Sequence, residues 1–593
     1  MSSTVGGRTV LPYIDALRPV AYLMSANPTT AISNAGPYSL ILRLANLCWS
    51  AMLIAFMATG TLSSARIGSI TWGPTHDIWS AAIAISQIRF GLSGELAYRE
   101  VEHAIANEVT SSGDSFRVID AETRLRDANP MCITRGFQSA AALAKKDLAI
   151  PPSKDGYVGD WAEDIGYADF YNLAFRLFGF NAYATHYLYF LLLTVSFVIF
   201  GLAFFRDTVA IGTLTLSLTA FFLLSASSFF NYVIPSFAAN RFLSTLAMIP
   251  LLHVVMTMLR RGALVRVIPV SLAFQSLIMS FAIAARGSAA WCLLAVGATA
   301  ATIVFLRWRR RRAEVTSSSK LRRREWLTKA SSHPVVITVT IVGVVFMVYS
   351  SIRNTWIDDR YFQDDNYPHH LVWHSAYLGL AFNPDWKAER PQYSDVPADG
   401  DSAGFALFQH AMRKQGIPSV STNKELYHQY YLRARPYEAF IRNQYLTFLS
   451  EHPLYGLELF FYYKPLALYK ILVYEAAGTA TASWLLAVCS LALASLCFAC
   501  GATTINSLEL IVCFSILWLS SLAPVIWAYP ELYTVSDEYW SSAFLALMLI
   551  GWLGALLPLG RFKSVFSPRG ADSGNCRRGR EIRRPWISLP RSK

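Results

Sequence analysis

Charge is what this chain has least of. Only 15% of its 593 residues are Asp, Glu, Lys or Arg, against about 25% in soluble domains. That is too little to cover the several soluble domains this length would otherwise suggest. The motifs G-x-x-x-x-G-K-[ST] and H-E-x-x-H are also missing, while the G-x-S-x-G spacing occurs once, at Gly400-Asp401-Ser402-Ala403-Gly404. P-loop ATP hydrolysis and zincin chemistry therefore find no support. No internal repeat is visible, which withholds support from an inverted-repeat transporter. The eight cysteines build no disulfide framework. Cys48, Cys292, Cys489, Cys497, Cys500 and Cys513 fall in apolar segments, Cys576 in a basic tail, and Cys132 alone in a polar loop. Cys497-x-x-Cys500 has redox or zinc spacing, but inside an apolar helix it reads as small-residue packing.

Apolar sequence is abundant instead. Hydrophobic residues make up 54% of the chain and the mean hydropathy is +0.34. Several runs approach the ~20 residues needed to cross a bilayer. These features predict an all-α polytopic membrane protein with two large polar insertions. The net charge of +13 is concentrated in two places. Residues 307–333 carry ten Lys/Arg against Glu314 and Glu325, a net +8, and residues 561–593 carry ten against Asp572 and Glu581, again +8. The rest of the chain is thus slightly acidic. Basic clusters beside spans mark the cytoplasmic side. Without a soluble domain to carry it, binding of nucleic acid is not expected.

Residues 1–38 are polar, lack the short apolar core of a cleavable signal, and are expected as a cytoplasmic tail. A transmembrane core of seven spans is predicted over 39–350, with a first outer loop at 63–181. The spans fall near 39–62, 182–205, 208–227, 241–259, 267–285, 289–306 and 334–350. A second outer region covers 351–479, three further spans occupy 480–560, and 561–593 is a basic cytoplasmic tail. This makes about ten spans, with both termini inside and both large loops outside. In the first loop, residues 75–91 read as a short amphipathic helix opened by Pro74, and 167–180 as an aromatic-rich interfacial helix closed by Gly179. In the second, 423–451 reads as one helix interrupted by Pro436. Lys464, Pro465 and Lys470 break the apolarity of 457–473, which is expected at the interface rather than across the membrane.

Several residues have side chains suited to chemistry. Asp77, in Thr75-His76-Asp77-Ile78-Trp79, stands at the start of the first loop helix. As an N-cap it would be held by free N–H groups and the helix dipole; as a general base it would activate a hydroxyl or amine acceptor. His369, His370 and His374 cluster in the second loop beside Trp373 and Tyr377. His370 and His374 are four apart, so on a helix they share a face. Metal ligation, sugar or phosphate contact and structural hydrogen bonding are all open to them, although no H-E-x-x-H spacing supports a metal and no cofactor is implied. Arg241 and Arg286 stand at the outer ends of apolar spans, where lipid phosphate or snorkelling to headgroups would satisfy a guanidinium. Lys464 takes the same two readings.

Two stretches bring family resemblances. The order of span, acidic first loop with a short helix, then Gly166-Tyr167-Ala168-Asp169-Phe170-Tyr171-Asn172-Leu173-Ala174-Phe175-Arg176-Leu177-Phe178-Gly179-Phe180 and a further span resembles the N-terminal half of GT-C membrane glycosyltransferases. That group includes protein O-mannosyltransferases and the lipid A aminoarabinose transferase. The resemblance covers about residues 40–306 and rests on topology and the LFG-type turn. It implies a GT-C-like fold and gives Asp77 the catalytic role, with His76 where the family often carries a second acid. Separately, His369-His370-Leu371-Val372-Trp373-His374-Ser375-Ala376-Tyr377-Leu378-Gly379-Leu380, followed by Pro453-Leu454-Tyr455 and Lys464, resembles a stretch in a group of bacterial multi-span proteins. It names relatives and no reaction.

Together the resemblances imply a bacterial inner-membrane enzyme of cell-envelope glycan and polysaccharide assembly. Its partners would be membrane lipids, a polyprenyl-phosphate sugar donor and a glycan, lipid or protein acceptor. Asp77 would activate the acceptor, Arg241 and Arg286 would hold donor phosphate, and His76, His369, His370, Trp373, His374 and Lys464 would complete the pocket. The alternative is a non-catalytic polysaccharide or lipid carrier or assembly component.

Overall fold

A computed structural model describes residues 44–53, 74–91, 101, 104–105, 108, 130–144, 166–226, 240–260, 267–315, 334–356, 372–386, 402–414, 434–467, 469–470, 481–501, 505–527 and 536–556. For some helix-end residues, His76, Asp77 and Arg241 among them, the backbone alone is described. The described residues are almost all helical and contain no strand. In chain order the helices are α1 (Leu44–Leu53), α2 (Pro74–Phe90), α3 (Pro130–Ala142), α4 (Gly166–Phe178), α5 (Ala184–Phe204), α6 (Thr208–Ala226), α7 (Met248–Leu259, entered through a 3-10 turn, Asn240–Ala247), α8 (Val267–Ala285), α9 (Trp291–Val315) and α10 (Pro334–Trp356). The later part adds α11 (Val372–Leu378), α12 (Ser402–Lys414), α13 (Ala434–Glu451), α14 (Pro453–Glu458), α15 (Thr481–Gly501), α16 (Ser507–Trp527) and α17 (Ser536–Leu556).

Seven helices among the described residues are long and apolar enough to cross a membrane: Ala184–Phe204, Phe242–Leu259, Ile268–Ala285, Gly287–Arg310, Pro334–Arg353, Ser507–Ile526 and Glu538–Leu556. Three shorter apolar helices, Leu44–Leu53, Thr208–Leu224 and Leu485–Ala499, accompany them. Burial ranks the seven. The window in Phe242–Leu259 is 100% buried and that in Pro334–Arg353 only 17%, so α7 is the central post and α10 a peripheral one. The exposed side of α10 is apolar, with Val336, Val339, Val344, Met347, Val348 and Ile352 facing outward. Water would not tolerate such a strip, but lipid tails do.

Inside the bundle, several hydroxyls are satisfied by short local bonds, as an apolar solvent favours. Thr213, Ser217 and Ser276 each donate to the carbonyl four residues back. Across helices, Gln275 Nε2 donates to the Ser196 carbonyl at 2.7 Å and Tyr189 shares a hydrogen bond with Thr245 at 2.6 Å. Small residues allow close approach: a side chain at Gly212 would meet Cys497 and Trp552 at 3.3 Å.

Contacts at the helix ends give the bundle two distinct faces. At the first, Asn46 Nδ2 donates to the Phe205 carbonyl at 3.1 Å, Arg260 pairs with Asp207 at 3.5 Å and Arg307 with Glu509 at 3.2 Å. This basic end gathers the start of α1, the end of α5, the start of α6, the end of α7, the lower part of α9 and the start of α16. At the other end, Gly166 presses on the backbone of Ala284 and Ala285, and Lys464 reaches the carbonyl of Ile526. α4, the end of α8, the end of α10 and the end of α16 therefore share this loop end. Successive helices alternate between the two faces, so the chain leaves α10 and re-enters α15 on the same side.

Arg307 is the clasp of the basic end. Its guanidinium donates to the carbonyls of Met258 and Leu259 at 3.1 and 3.0 Å, which are last-turn acceptors of α7 left over by the helix. It also pairs with Glu509, which lies in the first turn of α16, where a carboxylate faces the positive helix end. Arg310 lies 3.4 Å from the second oxygen of the same carboxylate.

A second apolar core is separate from the bundle. It is built from Ala376, Tyr377, Leu378, Leu380, Trp386, Leu407, Phe408, Tyr437, Ile441, Tyr445, Tyr455 and Leu459. Here one expectation falls partly outside the described residues and another is corrected. The helix expected over 423–451 is described over Ala434–Glu451, where it contains Pro436; residues 423–433 lie outside the described residues. The expected amphipathic helix at 75–91 forms as α2, but it is buried on all sides from Ser80 to Ser86. Its alanines let neighbouring helices, α4 and α3 among them, close around it. The interfacial expectation at 457–473 meets α14, a π turn at Leu459–Tyr463 and a further helical turn, a segment outside the candidate spans.

Candidate functional site

The loop end is where polar groups and helix termini converge. α4 begins with Gly166 because its backbone rests on Ala284; a Cβ there would overlap that carbonyl. α4 ends at Gly179, whose φ of +76° favours glycine, with its N–H returning to the Phe175 carbonyl at 2.9 Å. Between these points α4 buries Tyr167, Phe170, Tyr171, Ala174 and Phe175. Asn172 Nδ2 donates to Gln87 Oε1 of α2 at 2.8 Å, and Arg176 donates to Asn172 at 2.6 Å. The first-loop helices α2 and α4 are thus locked together.

α2 starts at Pro74, so Asp77 lies within the helix and not before it. This corrects the N-cap reading: Pro74 takes the first helical position, to which its fixed φ is suited. The side chains of Asp77 and His76 lie outside the described residues. Arg286 stands between the end of α8 and a 3-10 turn, in extended conformation, with its N–H bonded to the Ala282 carbonyl at 2.9 Å. Arg241 lies in the turn leading into α7, its side chain outside the described residues.

Three residues not singled out in the sequence meet at this end. Asp169, in the first turn of α4, lies near Arg353 and Tyr349 of α10. An aromatic run sets the spacing: Phe170 of α4 is 5.9 Å from Phe281 of α8, and Phe281 is 6.4 Å from Tyr349. Burial pushes the Asp169 carboxyl up to about 6, only partly offset by the Arg353 charge. Asp169 Oδ2 and Arg353 Nε are both buried without a hydrogen-bond partner among the described residues. The expected span ended at residue 350, which left Arg353 in a loop; the helix runs on to Trp356. Asp169 stood in view inside the aromatic stretch, but its neighbour across the fold had no sequence signal.

The second core accounts for part of the histidine cluster. His374 is buried, and its Nδ1 lies 2.7 Å from the Tyr437 hydroxyl. Both oxygens of Glu438 accept backbone N–H groups at the start of α11, from Trp373 at 2.8 Å and His374 at 2.9 Å. The Trp373 ring packs against Tyr445 at 5.9 Å. The described helix begins at Val372, so a face shared by His370 and His374 falls outside it; His369 and His370 lie outside the described residues. The Tyr455 hydroxyl donates to the Leu380 carbonyl, which ties Pro453-Leu454-Tyr455 to Gly379-Leu380.

Lys464 is buried, donates to the Ile526 carbonyl in the last turn of α16, and has its ammonium 5.1 Å from the Phe460 ring centroid. Burial pulls its amine down to about 7. Among the described residues no group of three or more His, Cys, Asp and Glu could hold a metal ion. Comparison with protein families, curated proteins and solved structures finds no match to this chain.

Proposed function

We propose that this chain is an integral membrane glycosyltransferase of GT-C type with ten spans, acting in cell-envelope glycan assembly. It takes a sugar from a polyprenyl-phosphate carrier at the outer face of the bacterial inner membrane and passes it to a glycan, lipid or protein. The basic end faces the cytoplasm by the positive-inside rule, which puts both termini inside and the loop end in the outer leaflet. Asp77 activates the acceptor, with His76 beside it, and Arg241 and Arg286 hold donor phosphate. His369 and His370 complete the pocket.

The observation that carries this reading is the packing of α2, which bears Asp77 on its opening turns, against α4, whose first residue in turn rests on the end of α8 that leads into Arg286. A buried helix at the mouth of a membrane bundle can hold a carboxylate in fixed geometry next to a phosphate-binding arginine. Asp77→Asn tests it. Asparagine keeps the shape but cannot accept a proton, a role worth roughly 10²–10⁴ in rate. The variant should insert and fold as the wild type does and fail to transfer sugar in reconstituted vesicles. Transfer at near wild-type rate removes Asp77 from the mechanism.

One observation favours the second reading, a non-catalytic carrier or assembly component. Trp373, His374 and Lys464 are engaged in contacts internal to the fold, so these members of the second loop serve architecture. Wild-type protein that binds lipid-linked sugar and transfers none decides for the carrier.

A further inference from the structure

We propose that Asp169 and Arg353 form a site for the headgroup of an amine-bearing phospholipid, with Arg353 donating to the phosphate and Asp169 accepting from the ammonium. Asp169 Oδ2 and Arg353 Nε are buried, and neither has a hydrogen-bond partner among the described residues. The two charges are close enough for Arg353 to act on Asp169, yet among the described residues no ion pair at bonding distance joins them. An unmet buried polar group costs about 1–3 kcal/mol, and one that persists calls for an occupant. A negative and a positive group held apart make the complement of a zwitterion.

Position narrows the occupant to lipid. Arg353 is in the last turn of α10, one turn beyond Tyr349 on the same face. The rest of that helix presents Val344, Met347, Val348 and Ile352 outward, a strip suited to acyl chains. A guanidinium at the end of a lipid-facing span sits at headgroup depth and matches phosphate in its fork geometry. Phe170, Phe281 and Tyr349 hold α4 against α8 and α10, which brings the acid to the same depth. A carboxylate at that position selects against a purely anionic headgroup and for one whose far end carries N–H donors. The site does not depend on the glycosyltransferase reading.

The test uses full-length protein in detergent, loaded with phosphatidylethanolamine, phosphatidylcholine or phosphatidylglycerol and read by native mass spectrometry. O-Phosphoethanolamine is the soluble probe. Wild type should retain phosphatidylethanolamine at least tenfold more than phosphatidylcholine, whose quaternary ammonium donates no hydrogen bond. Asp169→Asn should erase that preference while still binding both lipids, and Arg353→Gln should weaken both. Arg353→Lys, which keeps the charge, serves where the glutamine variant does not fold, and should retain the preference at reduced affinity. Competition by O-phosphoethanolamine at millimolar concentration assigns the headgroup alone, and its failure assigns the intact lipid; either supports the site. Equal retention of the three lipids by wild type, or a preference that survives Asp169→Asn, overturns it.

Discussion

His374 Nδ1 and the Tyr437 hydroxyl lie 2.7 Å apart inside the second core, and Gly404 is packed directly over the pair. A methyl group at Gly404 would collide with the Tyr437 hydroxyl and come within 3.0 Å of His374 Nδ1. Gly404→Ala should therefore break this bond and lower stability by about 1–3 kcal/mol, the usual cost of overpacking. Differential scanning fluorimetry of the purified protein reads it. Tyr437→Phe, which removes the hydroxyl and makes no clash, should cost about 1 kcal/mol less than Gly404→Ala. If both variants melt with the wild type, the histidine is not held by this contact.

At the opposite end, Arg307 bridges the carbonyl end of α7 and the buried Glu509 carboxylate. Removing one partner leaves the other charge buried. Arg307→Ala should cost about 3–5 kcal/mol, whereas a double replacement by apolar residues, Arg307→Met with Glu509→Leu, should recover much of it. A double-mutant cycle of melting in detergent separates these. Strict additivity of the two single effects would mean that the residues do not act as a pair.

The ends of the bundle show what the sequence could and could not disclose. Long apolar runs announce spans because the bilayer fixes their length, and the Gly179 stop and Pro74 start were legible because each residue has a backbone reason to stand there. Arg307 was visible only as the first member of a basic run. Nothing local says that it turns inward to α7 and Glu509 while Arg312 stacks on Trp308. The partnership of Asp169 with Arg353 was equally hidden, since their neighbourhood is made by an aromatic run through α8. The histidines drew attention by clustering, but His374 owes its place to Tyr437 and Glu438 of α13, which lie more than sixty residues downstream.

Lys464 gives a prediction with a sign. Its amine is pulled down to about 7 by burial, below the usual lysine value near 10.4. Between the two values the folded state binds fewer protons than the unfolded one, so stability rises with pH from about 7 upward. Below about 7 the buried ammonium is a fixed penalty. Lys464→Met removes both the charge and the bond to Ile526. The melting temperature of wild type minus that of Lys464→Met should increase between pH 6 and pH 9. A flat difference would place the amine in water at both ends of the range.

Asp169 carries the opposite sign and ties stability to the proposed site. Its carboxyl is raised to about 6 from 3.8, mainly by burial. The stability it contributes is fully present below the unfolded value and is lost as pH rises through about 6, because the folded state then has to hold a buried carboxylate. A shift of that size corresponds to roughly 3 kcal/mol. In lipid-free detergent, Asp169→Asn should melt above the wild type at pH 7.5, and the gap should close as pH falls from 6 to 4. Adding phosphatidylethanolamine should stabilise the wild type more than the variant, since only the ionised acid receives the ammonium. A residue kept for packing alone would lose stability on substitution at every pH. An acid kept for a ligand leaves the protein less stable without it than asparagine would. Wild type melting above Asp169→Asn at pH 7.5 in the absence of lipid would return Asp169 to a structural role.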